Sequence, residues 1–355
     1  MGYAAYRHFG CRITDDLVYR GMRALFLEND LVRVGLLVDK GTDIFQFLHK
    51  PTDTDFLWRS PTGLLDPRRI VATKAAGNGA FLDGYHGGWQ EILPGGGPYD
   101  HEGAEIGLHG EVTHLAWDYD IIRDTPDEIC VEFRVDCLRT PFRIVKRLRM
   151  ERGNPALFID EELINLSPQP QQFMWGHHPA FGAPFLREGV RLFVPAAKAV
   201  THSPRFAASG IFEPGVEFAW PIAAAGDRRV DLSCVPGPDA GYADLIYLEQ
   251  LSAGWYAVLD PERRVGFGMS WPQEVLPYLW FWLVYGRAPG YPWWDRVYCI
   301  ALEPWTSAPN SFATAGALGR HAQLAGNASL NLSLAAVAIT DREAVSSIQP
   351  DGVVK

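Results

Sequence analysis

The nine residues "ICVEFRVDC", Ile129 to Cys137, decide the fold class. Ile129, Val131, Phe133, Val135 and Cys137 fall on one side of an extended chain, and Glu132, Arg134 and Asp136 on the other. Apolar against charged with a period of two is the pattern of a half-buried strand. Toward the C-terminus, "GWYAVLDPERRVGFGMSW" (254–271) reads as a hairpin. "DPERR" makes the turn, and Val265, Phe267, Met269 and Trp271 then alternate with Gly266, Gly268 and Ser270. Toward the N-terminus, "ALFLENDLVRVGLLVDKGTDIFQFLHK" (24–50) gives further strands, punctuated by "END" and "DKG". No stretch sustains a helical period. The nearest, "DPRRIVATKAAGNGAF" (66–81), is stopped by Gly77 and Gly79. Turn residues (35 Gly, 26 Pro) between segments rich in Trp, Tyr and Phe describe many strands joined by loops. With no repeat, low-complexity tract or linker, the expectation is one large all-β domain over 1–355. It would carry an N-terminal arm (1–20) and a polar, peripheral C-terminal tail (341–355).

Composition narrows the partners. Lys and Arg number 32 against 42 Asp and Glu, a net charge of −10, the wrong sign for a phosphate-backbone binder. No apolar run reaches the roughly 18–20 residues of a membrane-spanning helix. The opening "MGYAAYRHFGCRITDD" lacks the basic and apolar regions of a signal peptide. Cys11, Cys130, Cys137, Cys234 and Cys299 are odd in number and hold no CxxC pair, so reduced thiols in a cytoplasmic protein are expected. Nucleic acid and membrane are therefore not expected as partners; whether the chain forms a homodimer is left open.

Three segments carry candidate chemistry. "RVYCIALEPWT" (296–306) is apolar on both faces, so it belongs inside stacked sheets. Glu303 then arrives at its end, with Pro304 expected to stop the ladder. A carboxylate there is costly unless paired or working; a salt-bridged strand end is the bland alternative. "QQFMWGHHPAFG" (171–182) sets two adjacent histidines in what alternation makes a strand, so His177 and His178 face opposite ways and cannot easily share one metal. Trp175, His177 and Pro179 share one face; Gly176, His178 and Ala180 share the other, where small residues leave space. "YHGGWQEILPGGGPYDHEGAEIGLHGEVTHLAW" (85–117) holds four of the ten histidines between glycine clusters. HExxH, GxSxG, GxGxxG after a strand and the P-loop are all absent, so neither a metal nor another cofactor is expected. What remains is His and Glu, able to act as general acid and base, in a tryptophan-rich chain whose aromatic faces can stack on a sugar.

These segments resemble the aldose 1-epimerases, the galactose mutarotase-like family, with the nearest motifs in its hexose-6-phosphate mutarotase branch. "LHGEVTHLAW" is similar to that branch's His-Gly-Phe-Ala-Arg…Trp element through His109, Gly110 and Trp117. "HGGWQEILPGGG" resembles its Arg-Gly-Gly-Ile-Pro…Pro…Gly loop at Gly87, Gly88, Pro94 and Gly97. "GHHPAFG" resembles the element bearing the family's acid, which places that role on His178. "CIALEPWT" resembles the segment bearing its base, which places that on Glu303. More loosely, "ADLIYL" resembles the segment supplying a sugar-binding carboxylate, Asp244. The likeness runs in order from about residue 20 to about residue 335.

The resemblance implies a large antiparallel β-sandwich and cofactor-free interconversion of α and β anomers. In it Glu303 is the ionised base, His178 the protonated acid and His109 a further catalytic donor. His86, Gln90, Glu91, Trp175, Asp244 and Trp282 are the expected sugar-binding residues, and His177 packs or supports. Two alternatives stay open: a non-catalytic carbohydrate-binding or regulatory protein on the same fold, and a glycan lyase or hydrolase using Glu91 as a second carboxylate. The departures bear on the substrate. His86 and Thr113 stand where the sugar-phosphate branch has arginines, with only Arg143, Arg147 or Arg287 to restore a phosphate grip. Ala180 replaces a tyrosine and widens the pocket. Two lost guanidinium–phosphate contacts cost about 1.5–3 kcal/mol each. A neutral aldose is therefore expected to show a higher kcat/KM than its 6-phosphate at equal ionic strength; the reverse preference would point to those three arginines.

Overall fold

The computed structural model describes residues 7–65 and 78–355. Of the helix-like stretch 66–81, residues 66–77 lie outside them, and Gly79, expected to stop it, instead begins a short helix, Gly79–Leu82. Among the described residues the regular structure is almost entirely strand, as a large antiparallel sandwich. One sheet has twelve strands. It runs from Arg12–Tyr19 at one edge, through Trp89–Ile92, Gly176–Gly182, Tyr298–Trp305, Tyr278–Tyr285 and Tyr242–Leu251, to Glu217–Ala219. The other has eight, with Ser329–Thr340, Ala156–Asn165, Phe142–Glu151 and Glu128–Asp136 in succession. No helix among the described residues is long and apolar enough to cross a membrane.

The deciding strand forms over Glu128–Asp136, with Ile129, Val131 and Phe133 fully buried and Arg134 and Asp136 exposed. Its inward residues join Val34, Phe47, Phe181, Phe267 and Leu302 in one apolar core between the sheets. The hairpin also forms, Trp255–Asp260 against Val265–Ser270. Its glycines let both arms lie buried: a Cβ on Gly266 or Gly268 would overlap Val258 or Ile348.

Three features differ from the sequence reading. Arg12–Tyr19 is an edge strand paired with Met22–Glu28, so the second half of the supposed arm belongs to the sheet. The tail is pinned by Val345 and Ile348, which pack on Trp255, Phe158 and Val337. Polar composition hid two anchors spaced three apart. Pro304 does not end its strand, because Tyr278 still pairs with Trp305 beyond it. A proline costs one donor, and the neighbour on the other side absorbs the gap.

That gap positions the site. Gly176 pairs with Trp305 and Ala180 with Ala301. The unbroken register between them sets His178 across from Glu303. Pro179 and Pro304, neither with an N–H, interrupt the ladder there. Gly176 is required by the same geometry, since a Cβ on it would overlap the Trp305 indole. Gly176→Ala is expected to destabilise the fold by about 1–3 kcal/mol through overpacking, read as a lower urea midpoint with unchanged slope. No shift would mean that the Trp305 ring has room to move.

Candidate functional site

A cavity of about 500 Å³ opens on the outer face of the twelve-stranded sheet, away from the core. Alternation delivers its floor. His178 and Glu303 come from adjacent strands, Trp280, Trp282 and Val284 from the next, and Ala243 and Leu245 from the one after. Phe81, Leu82 and Tyr85 close one side, Leu108 and His109 another, and the segments 206–208 and 288–293 the mouth.

His178 Nε2 lies 3.3 Å from Glu303 Oε1, both side chains almost fully buried. The indole of Trp305, two residues on and therefore on the same face, donates from Nε1 to Glu303 Oε2 at 3.0 Å. With Oε2 occupied as an acceptor, a proton on Glu303 belongs on Oε1, toward His178. On the other side of the imidazole, the Tyr85 hydroxyl is 3.3 Å from Nδ1. Burial holds that phenol far above its usual pKa, so it stays neutral. With Nε2 accepting from Glu303, the proton of the neutral imidazole sits on Nδ1 and is donated to the Tyr85 oxygen. Burial also pushes the Glu303 carboxyl up to about 8 and His178 down to about 4. The sequence reading had the pair ionised; desolvation favours the neutral form of each, with the single shared proton on Glu303.

His109 reaches the cavity through backbone strain. Its φ is +63°, left-handed for a non-glycine residue, followed by Gly110 at +71°, where a Cβ would overlap the Leu93 carbonyl. The ring meets Phe81 edge-on at 4.4 Å and lies 5.3 Å from His178. Its Nδ1 is buried with no hydrogen-bond partner. Burial, then the neighbouring His178, lowers its pKa well below the ordinary range, so His109 offers a neutral ring.

Of the nine site residues expected from sequence, His178, Glu303, His109 and Trp282 line the cavity, and the other five do not. Glu91 and Trp175 lie on the core face with His177. There Lys146 donates to Glu91 at 2.8 Å, Trp175 Nε1 donates to Glu91 at 3.0 Å, and His177 Nε2 lies 3.0 Å from Glu161. Trp89 Nε1 donates to His177 Nδ1 at 3.1 Å, so the His177 proton sits on Nε2, donated to Glu161. This network ties the sheets together directly behind His178. Gln90 is on the His178 side, but it does not line the cavity, and its amide nitrogen donates to the Gly87 carbonyl and to Asp43. His86 is buried with Nδ1 3.8 Å from Asp43. Asp244 points away from the floor formed by Ala243 and Leu245, and accepts from the Ile211 amide at 3.1 Å. Burial raises its pKa to about 6, and its role is to hold the loop that carries Phe206 and Ala207.

Sequence reasoning missed Tyr85, Phe81, Trp293 and Trp305. Only Trp305 left a local signal, by sharing a face with Glu303 at a spacing of two. Among the described residues, no three His, Cys, Asp or Glu side chains are grouped to hold a metal ion.

The family model described as "Domain of unknown function (DUF4432)" matches residues 19–336, and the chain belongs to that family. Curated protein sequences give no match. Among solved structures, the chain is similar to a "putative aldose 1-epimerase" from Klebsiella pneumoniae, with TM-score 0.74, 18% identity, and 93% of this chain and 83% of that one covered. It is also similar to a galactose mutarotase-like protein from Clostridium acetobutylicum (TM-score 0.61, 14% identity, 93% and 99% covered). A galactose mutarotase related enzyme from Lactobacillus acidophilus is comparable (0.59, 15%, 89% and 98%). At such identities the likeness establishes the fold, that of the galactose mutarotase-like sandwich.

The core-face network has its own test. Lys146→Met leaves the Glu91 carboxylate buried without its cation, and is expected to cost about 3–5 kcal/mol in urea unfolding. A cost under about 1 kcal/mol would mean that Glu91 is neutral in the folded protein.

Proposed function

We propose that this DUF4432 chain is an aldose 1-epimerase acting on an unphosphorylated reducing sugar. The observation that carries the reading is the buried His178–Glu303 pair, set face to face at 3.3 Å on the floor of an aromatic cavity. Anomer exchange requires one group to take the proton of the anomeric hydroxyl while another gives a proton to the ring oxygen. The C1–O5 bond then breaks, C1 becomes an aldehyde, and rotation about C1–C2 followed by reclosure returns both protons. A pair holding one proton between its members meets that need without net charge.

A sugar hydroxyl donating to Glu303, beside the Trp305 N–H, favours the carboxylate, because hydrogen bonds to the charged form lower its pKa. Binding would thus move the shared proton to His178, leaving Glu303 as base and His178 as acid. Tyr85 orients the imidazole. His109, neutral and with a free Nδ1, serves as a hydrogen-bond partner for the sugar as its ring opens. Trp282 and Trp280 offer the flat faces on which a pyranose stacks.

The phosphate question is supported from the structure side. Where the sugar-phosphate branch has arginines, His86 and Thr113 instead cluster around the buried Asp43 carboxylate. Lys40 is paired to Asp43 as well. Arg143 and Arg147 pair with Asp136 and Glu132, on the other sheet, and no lysine or arginine is among the described lining residues. A glycan hydrolase is not favoured, because Glu91 lies across the sheet from Glu303 and cannot flank the same bond.

Glu303→Gln is expected to slow anomer exchange by at least about 10²-fold while sugar affinity stays within about tenfold; retention of more than about a tenth of the rate would remove Glu303 from the mechanism. His178→Ala should lose about 10²–10⁴-fold, whereas His177→Ala should chiefly lower stability. Equal losses in the two folded variants would contradict the division of faces. The pH profile of kcat/KM is expected to be bell-shaped. Activity falls below about 4, where both groups hold protons, and above about 8, where neither does. The limbs belong to the pair rather than to either residue. A profile rising steadily through pH 9 would rule out a shared proton.

A further inference from the structure

The cavity is divided along its depth in a way that anomer exchange alone does not require. Its hydrogen-bonding groups lie at the floor and along one side: His178 and Glu303 are 4% and 2% exposed, with His109 and Asn310 beside them. The mouth is different. Phe206, Ala207 and Ala208 form one lip, and Ala288, Pro289, Tyr291, Pro292 and Trp293 the other. None of these eight carries a charged group, and the one hydroxyl, on Tyr291, is already donated to Asp83 at 2.7 Å. That bond ties the second lip to the end of the short helix Gly79–Leu82. Asp244 holds the first lip from behind through the Ile211 amide, and the Ser209 hydroxyl donates to the Arg287 carbonyl at 2.8 Å, joining the two lips. The apolar lips are therefore built and fastened rather than loose.

Apolar surface is left in water where something covers it. Phe206 is 39% and Tyr291 54% exposed although both line the cavity. A single pyranose seated on His178 and Glu303 fills the floor. The remaining volume, within about 500 Å³ that suits a drug-sized ligand of the 300–1,000 Å³ class, offers a second group few hydrogen-bonding side chains among the described residues, Asn78 and the indole N–H of Trp293. A phosphate would find no cation among the described lining residues. Another sugar would leave most of its hydroxyls facing carbon. An apolar group matches the lips.

We infer that the physiological substrate is a reducing sugar carrying an uncharged apolar substituent, acyl or aryl, away from its anomeric carbon, and that this substituent lies between Phe206 and Tyr291–Trp293. The inference rests on the epimerase reading for the floor of the site, and adds the substrate class.

The test compares matched reducing sugars: free glucose and galactose, their 6-O-benzyl and 4-O-benzyl ethers, and disaccharides with a second hexose at the same oxygens. Anomer exchange is followed by saturation-transfer NMR, and binding to the Glu303→Gln variant by calorimetry. One benzyl ether is expected to exceed the free hexose and the disaccharide by about tenfold or more in kcat/KM, through KM. Phe206→Ala should collapse that ratio. Equal values for ether and free hexose, or a preference for the disaccharide, would overturn the inference with the epimerase reading intact. Apolar-selective binding without any exchange in the wild-type protein would do the opposite, keeping the subsite and removing the epimerase. Binding of none of these sugars would remove both.

Discussion

The strand Gly176–Gly182 is covered on both faces, and every residue in it is buried. Two consecutive histidines in such a strand must each find partners in a different medium, because a pleated chain sends them to opposite sides. His177 goes into the sandwich and is satisfied by Trp89 and Glu161, one from its own sheet and one from the other. His178 goes to the outer face and meets Glu303 and Tyr85. The two arrangements depend on each other. The core-face network holds the strand at the register that sets His178 across from Glu303, and a slip of one residue would exchange the two rings.

Burial then sets the chemistry. Among the described residues neither member of the outer pair has a counter-ion beyond the other, so removing them from water favours the neutral form of each. The prolines beside them, Pro179 and Pro304, take no part in proton transfer. Their contribution is to clear the ladder of backbone donors where the two side chains approach. Tightly fitted tryptophans complete the surroundings: Trp280 and Trp305 stack at 4.0 Å, and Trp305 orients the carboxylate.

Much of this was legible in the sequence because it depends on a period of two. The all-β class, the hairpin at 254–271, the opposed directions of His177 and His178, and the doubly buried strand that carries Glu303 were all readable from the order of apolar and polar residues. Glu91 and Trp175 were misplaced for two different reasons, the first a register that sequence does not hold and the second an alternation not carried through. Trp175 shares the His177 face by simple parity, but Glu91 pairs across from His177, and cross-strand register is not written in either segment. His86, Gln90 and Asp244 were set on the sugar by resemblance, while in this chain their polar atoms are spent on, or buried beside, nearby protein groups. The cavity's lips were invisible for a different reason. "SPRFAASG" and "RAPGYPWWD" are far apart in the chain and are brought together only by Asp244, Ser209 and the Tyr291–Asp83 bond. Nothing in their local composition announces a shared wall.

The central claim is that the floor of the cavity opens and recloses a sugar ring through one shared proton. It is tested most directly by NMR exchange between the α and β anomers of neutral reducing sugars, with and without the wild-type protein, at neutral pH. The account requires protein-dependent acceleration over buffer for at least one such sugar, proportional to protein concentration. Sugars that bind in the cavity yet exchange no faster than in buffer would contradict it, and would make this a carbohydrate-binding protein on a mutarotase fold.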